Sequence, residues 1–402
     1  MKVNQIAGIL NDTIVPQYLG AETLLAEDLS NIVTIGRQLN EAMTADGALD
    51  NSVKAVLNKV GKTINWTKPY IGMAPNIIRD SWEYGSILEK NRANLADYTE
   101  NPTWKLQNGT DYLDGKYYQP EVTSKLFNKR TTFEVDMSFA ERQFRESVLS
   151  AEGVASFFGM IESRITDSET LALDGLTMRL LNNLALEHAK KQAQNNGSAT
   201  YVDLLTLYNT KFSQSLTTAT AIYDKSFVRF ASYMILLYQS RLRSMSTEYN
   251  IDGFATHSPY DDQKLILVSD FAKAADIYLQ SDTYHNELVR LNEYQEVPFW
   301  QNNSVLTNMG DPTPNFKIKG LPASGTFKSG NADVKSIEVP VIGMLFDKDA
   351  AAICCEDGRV TSQYVPKGEF FTNFYKRDAQ YLNDLAENCI IFTMGTPTVS
   401  TT

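Results

Sequence analysis

Apolar and polar positions divide the chain into a helical middle and a strand-rich end. Leu24, Leu25, Leu29, Ile32 and Val33 recur at helical spacing, as do Val53, Val56, Leu57 and Val60, which predicts two short amphipathic helices near the N-terminus. Val154, Phe157, Phe158, Ile161 and Ile165 share one face. Leu173, Leu176, Leu180, Leu181 and Leu184 prolong that spacing toward Lys190, Lys191 and the stop signal Asn195-Asn196-Gly197, so a long helix opened by Ser150 is expected, with candidate bends at Gly159 and Gly175. A second helix is expected over 201–212. Residues 227–245 are apolar enough for helix or strand, and periodicity does not separate the two. A buried strand at 264–268, a helix at 270–278 and a strand at 293–300 follow, and 311–332 reads as loop. From 338 to 394 strand-like runs are separated by short turns: 340–346, 350–355, a two-residue hairpin signal at Asp357-Gly358, 359–365, the turn Pro366-Lys367-Gly368, then 370–382. Strands that follow helices rather than alternate with them predict an α+β fold, not a wound parallel sheet.

Two segments lack the pattern of a self-sufficient core. Residues 1–75 read as an arm that docks elsewhere. Residues 76–135 interleave aromatics with charges, namely Trp82, Tyr84, Tyr98, Trp104, Tyr112, Tyr117 and Tyr118, around a turn signal at Asp114-Gly115, and 121–137 has the β-branched content of a strand. An extended excursion fits such a stretch, and its aromatics are candidate contacts with another subunit. Lys125, Lys129 and Arg130 form its basic run, read as a solvated strand face or as partners for a neighbour's acids.

Composition narrows the function. In 402 residues, 43% are hydrophobic and 21% charged, enough for a large core. The net charge of -11, from 37 basic and 48 acidic residues, disfavours direct wrapping of nucleic acid. Cys354, Cys355 and Cys389 show no disulfide spacing and read as reduced core thiols. No secretion signal or membrane-spanning run is recognised. The three histidines are scattered, with His188 read as solvated or paired with the helix dipole, and no metal, nucleotide or nucleophile motif is present. Asp347, Asp349, Glu356 and Asp357 read as solvated turn acids. No catalytic, cofactor or metal residue is therefore assigned.

Three passages resemble the major capsid protein of tailed bacteriophages, the HK-ninety-seven-type fold, and are most similar to small phi-twenty-nine-like podoviruses. They are the run from Pro120 to Arg130 leading through Phe133 into Phe157-Phe158, the strand-helix-strand order from Leu265 through Tyr278 to Trp300, and Leu345-Phe346-Asp347-Lys348-Asp349 with the aromatic strands after it. The resemblance implies an N-terminal arm (1–75), an extended loop (76–135), a peripheral domain with a spine helix (136–220), an axial domain (221–335) and return strands to the C-terminus (336–402). It implies a homo-oligomer of hexamers and pentamers that closes an icosahedral shell around double-stranded DNA. Portal and scaffolding proteins would be partners, with no membrane and no cofactor, and assembly in the host cytoplasm would lead to a virion capsid. An encapsulin-like compartment shell and a carboxylate-dependent hydrolase are the alternatives.

Overall fold

The computed structural model describes scattered residues of the first forty, then 76–79, 88–96, 100, 105–110, 119–142, 151–195, 198–280, 294–300, 316–329, 332–356 and 358–401. Among these, Ala7, Leu10, Val15, Leu25 and Ile35 of the N-terminal segment are buried. The Asn11 side chain brackets Leu25 there, accepting from its N–H and donating to its carbonyl. The helix expected around Val53 to Val60 lies outside the described residues.

The first strands are β1 (Ile78–Arg79), β2 (Leu88–Ala93), β3 (Val122–Phe127) and β4 (Arg130–Ala140). Helix α1 (Ala151–Asn195) then runs 45 residues, about 68 Å at 1.5 Å per residue, unbroken through Gly159 and Gly175. It ends at the stop signal. Between Leu180 and Ala189 it is buried almost all round, as a helix inside a core must be.

His188 lies in that stretch, fully buried, and neither ring nitrogen has a hydrogen-bond partner among the described residues. The expectation of a solvated or dipole-pairing histidine is thereby corrected. Lys191 turns away to donate to the carbonyls of Asn250 and Ile251.

The expected helix at 201–212 divides into strand β5 (Tyr201–Asp203) and helix α2 (Leu204–Phe212), because the Asp203 carboxylate accepts from the Thr206 N–H and caps the helix there. After α3 (Thr218–Ala221), the ambiguous apolar segment is helix α4 (Lys225–Arg241), which buries Phe227, Val228, Ala231 and Ile235 at helical spacing. Strand β6 (Gln263–Val268), helix α5 (Ser269–Gln280) and strand β7 (Tyr294–Val297) follow in the expected order. The stretch expected as loop holds β8 (Lys317–Gly320) and β9 (Phe327–Ser329), and reaches the start of β10 (Ala332–Val334). Its polar strands were hidden by their Gly, Pro and Ser neighbours.

The C-terminal strands are β11 (Ser336–Asp347), β12 (Ala351–Cys355), β13 (Arg359–Val365), β14 (Phe370–Asn383), β15 (Cys389–Thr393) and β16 (Thr398–Ser400). Strand β11 is the axis of a mixed sheet. Its first half pairs with β8 and β16, its second with β6 and β15, while β7 and β5 extend the sheet by parallel pairing. One sheet thus draws strands from both sides of residue 335.

In the second sheet β14 is central. It carries β4 along one edge, and β13 then β12 end to end along the other. The two strands flanking Asp357-Gly358 therefore pair with β14 and not with each other, so that dipeptide is not a two-residue hairpin. The turn at Pro366-Lys367-Gly368 does join paired strands, β13 and β14.

Candidate assembly surfaces

Strands β2 and β3 form an antiparallel ribbon separate from both sheets, with Lys90 opposite Lys125 and Arg92 opposite Thr123. Side chains alternate across a strand, so Leu88, Lys90 and Arg92 share one face with Lys125 and Phe127, and these positions are half-buried. Glu89, Asn91, Val122, Ser124 and Leu126 lie on the other face and are exposed. Val122 and Leu126 are 63% and 65% exposed, an apolar pair at i, i+4. Leu95 and Leu106 are equally open.

The inner face is fastened to the body by charge. Lys90 Nζ donates to Asp384 Oδ2 at 3.1 Å and Glu387 Oε1 at 3.2 Å, Arg92 Nη2 reaches Asp384 at 3.2 Å and also pairs with Glu387, and Lys125 pairs with Asp252 and reaches Asp384 at 3.4 Å. The Asp384 side chain is wholly buried. Burial alone would raise its carboxyl, but Lys90, the Ala386 N–H and Arg92 together hold it below its ordinary value. Glu387 goes the other way, since burial outweighs the same two cations and raises it. Asp384 is thus the anionic centre of the clamp.

A second centre joins β4, β13 and β14. Asp378, buried in β14, accepts from Arg130, Arg359 and Thr132. Burial pushes its carboxyl up, yet the hydrogen bonds from Thr132, Arg130 and Arg359 bring it down to about 2. Arg130 also meets Glu356 at 3.1 Å, and Arg377 ties Glu169 of α1 to the same sheet at 3.3 Å.

Of the residues singled out from sequence, Lys125 and Arg130 therefore meet acids of their own chain, whereas Lys129 is exposed at the turn between β3 and β4. Trp82, Tyr84, Tyr98, Trp104, Tyr112, Tyr117 and Tyr118 lie outside the described residues. The turn acids are corrected in part. Asp347 is 6% exposed, its carboxyl raised by burial, and it accepts from the Asp349 N–H; Asp349 pairs with Arg79 at 2.6 Å. Glu356 is held by Arg130 and Gln380, and Asp357 lies outside the described residues. Cys354 and Cys389 are buried, Cys355 half-buried, and burial raises the thiols of Cys355 and Cys389.

Among the described residues, no group of three His, Cys, Asp or Glu is placed to hold a metal ion, and no helix is long and apolar enough to cross a membrane. Sequence reasoning missed the Asp384 clamp. Its one local signal was the Lys90-x-Arg92 alternation, which puts two cations on one face of a strand; their acids stand nearly three hundred residues away.

The family model for the Phi29-like phage major capsid protein matches residues 13–393. No curated protein matches the sequence. Solved structures that it resembles include the capsid of Staphylococcus phage Andhra, at 9% identity and a TM-score of 0.46, over 82% of this chain and 86% of that one. The capsid of cyanophage P-SCSP1u is another, at 11% identity and 0.39, over 81% and 88%. TM-scores below 0.5 leave those likenesses without weight, and the assignment rests on the family match.

Proposed function

Because the chain belongs to the Phi29-like phage major capsid protein family, we propose that its copies associate as hexamers and pentamers into an icosahedral shell around double-stranded DNA, with the β2–β3 ribbon overlapping a neighbour. The observation that carries this reading is the two-sided ribbon. Its cations hold the inner face on the parent subunit, while Val122 and Leu126 stand exposed on the outer face, an apolar pair that an isolated monomer has no use for.

Residues 136–220 and 336–402 serve as the peripheral domain and 221–335 as the axial domain, joined through the sheet centred on β11. Many weak contacts per subunit add up through multivalency, so errors dissolve before the shell closes. The surplus of acid keeps packaged DNA from adhering to the inner wall. A portal and a scaffolding protein complete the head in the host cytoplasm before the virion is released.

Electron microscopy of the purified protein tests the reading: closed shells are expected, and a monodisperse monomer at high concentration overturns it. Deletion of residues 80–118, which removes β2, is expected to leave a subunit that is still folded by circular dichroism and no longer forms particles; global unfolding would count against the reading. Unchanged particle yield would remove the ribbon from the assembly mechanism.

A further inference from the structure

Helix α1 is not covered along its whole length. From Ala172 to Leu186, positions three and four apart, among them Gly175, Leu176, Arg179 and Asn183, share one face and floor a cavity of about 460 Å³. Thr131 and Phe133 of β4, with Lys319, Gly320 and Leu321 at the end of β8, wall it. The floor is about 21 Å long at 1.5 Å per residue, so the space is a trough, and its volume falls within the roughly 300–1,000 Å³ of small-molecule sites. Because β4 belongs to the sheet built on β14 and β8 to the sheet built on β11, the trough lies where both sheets meet α1.

Two cations line it and no acid does. Elsewhere in the ribbon and the β14 sheet the cations meet carboxylates, as Lys90, Arg92, Arg130 and Arg359 do. Arg179 and Lys319 have no such partner among the described residues. Glu338, which faces Lys319 across the β8–β11 pair, is taken by Lys317 at 2.6 Å. On α1, Asp174 lies outside the lining, and Glu187 accepts from the Ser324 N–H at 2.6 Å and from its Oγ at 2.9 Å. Arg179 is also steadied from the β14 side, its guanidinium carbon 5.7 Å from the centre of the Tyr381 ring.

We propose that the trough binds a linear amphipathic anion, a carboxylate on an unbranched hydrocarbon tail. The head lies on Arg179 and Lys319, and the tail follows Ala172, Gly175 and Leu176 beside Phe133, a run of about 10 Å from position 179 back to 172. A bare anion would leave the apolar wall wet, and a neutral chain would leave both cations unanswered. An extended acidic peptide would match the charge but set its own backbone polar groups against Leu176 and Phe133. Bound there, the ligand bridges α1 and β8, as Glu187 and Ser324 already do about two turns further along the helix. The proposal does not depend on the shell-forming reading.

Isothermal titration calorimetry of the full chain tests it with octanoate, 1-octanol, inorganic phosphate and an octaglutamate peptide. Octanoate is expected to bind saturably at one molecule per chain, at least about tenfold more tightly than each of the others, because charge-assisted hydrogen bonds read its head and the apolar wall its tail. Absence of saturable octanoate binding overturns the proposal. So does equal binding of octanol, which removes the head from the site, or of phosphate, which removes the tail, and equal or tighter binding of the peptide assigns the trough to a protein segment instead. The Arg179→Gln/Lys319→Gln variant, checked for native circular dichroism, is expected to lose at least about tenfold in octanoate affinity with octanol affinity unchanged; octanoate affinity equal to the parent's overturns the proposal. Should that variant not fold, Lys319→Gln alone, exposed on β8, is held to a loss of at least about threefold by the same comparison.

Discussion

Replacing Asp384 by Asn tests whether charge fastens the ribbon to the body. The substitution keeps the shape and an oxygen for the Ala386 N–H, which the carboxylate accepts at 3.1 Å, but removes the anion from Lys90, Arg92 and Lys125. Breaking a fully buried pair costs about 3–5 kcal/mol. Here the three cations are 19%, 18% and 33% exposed, and Glu387 and Asp252 remain to them, so solvent and substitute partners reduce the loss to about 2 kcal/mol. That corresponds to a roughly thirtyfold rise in the open population of the ribbon. Hydrogen exchange followed by mass spectrometry reads it directly: amides of Leu88–Ala93 and Val122–Phe127 should exchange about thirtyfold faster in Asp384→Asn, while those of β6 and β11 stay as slow as before. Unchanged ribbon exchange would refute the clamp. Acceleration spread equally into β11 would show instead that Asp384 supports the whole fold.

Acid should act on the same clamp. The Asp384 carboxyl is depressed when folded, so its contribution is present above the ordinary value of 3.8 and is lost as pH falls below it; Glu387, raised by burial, favours the folded state when protonated and loses that contribution as pH rises through its folded value, above 4.5. Ribbon exchange should therefore quicken below pH 3.8, and Glu387→Gln should leave it near the parent rate at neutral pH. His188 is held neutral by burial and by the charge of Lys191, its value lowered from 6.5 to about 3. Stability should decline as pH falls from 6.5, by up to about 1.4 kcal/mol per unit, and His188→Leu should flatten that slope and raise the Tm at neutral pH by freeing the fold of two nitrogens that have no partner among the described residues. A Cβ on Gly343 in β11 would stand 2.5 Å from Leu267 Cδ2 and 2.9 Å from the Ile266 carbonyl oxygen, so Gly343→Ala should cost about 1–3 kcal/mol in a denaturant titration.

The sequence reveals whatever is set by local period and caps. Leu173 to Leu184 announce α1, Asn195-Asn196-Gly197 ends it, and the turn at Pro366-Lys367-Gly368 joins β13 to β14. Pairings over long range leave no such trace. Nothing near Asp357-Gly358 says that β12 and β13 share an edge of β14 rather than each other, because that choice is made by a strand not yet met along the chain. His188 misled for a related reason. Its place near the end of a helix suggested solvent, and only packing against distant strands buries it.

Strand β14 also sets a timetable. Residues 130–140 of β4 find their partners only in residues 370–380, so a growing polypeptide must hold β4 unmatched until most of the message has been read. At translation speeds of about 5–20 residues per second, that wait is on the order of ten to fifty seconds. A truncated product lacking its final tenth would keep β4 as a raw edge, and an unfinished subunit is thereby barred from offering a completed surface to its siblings.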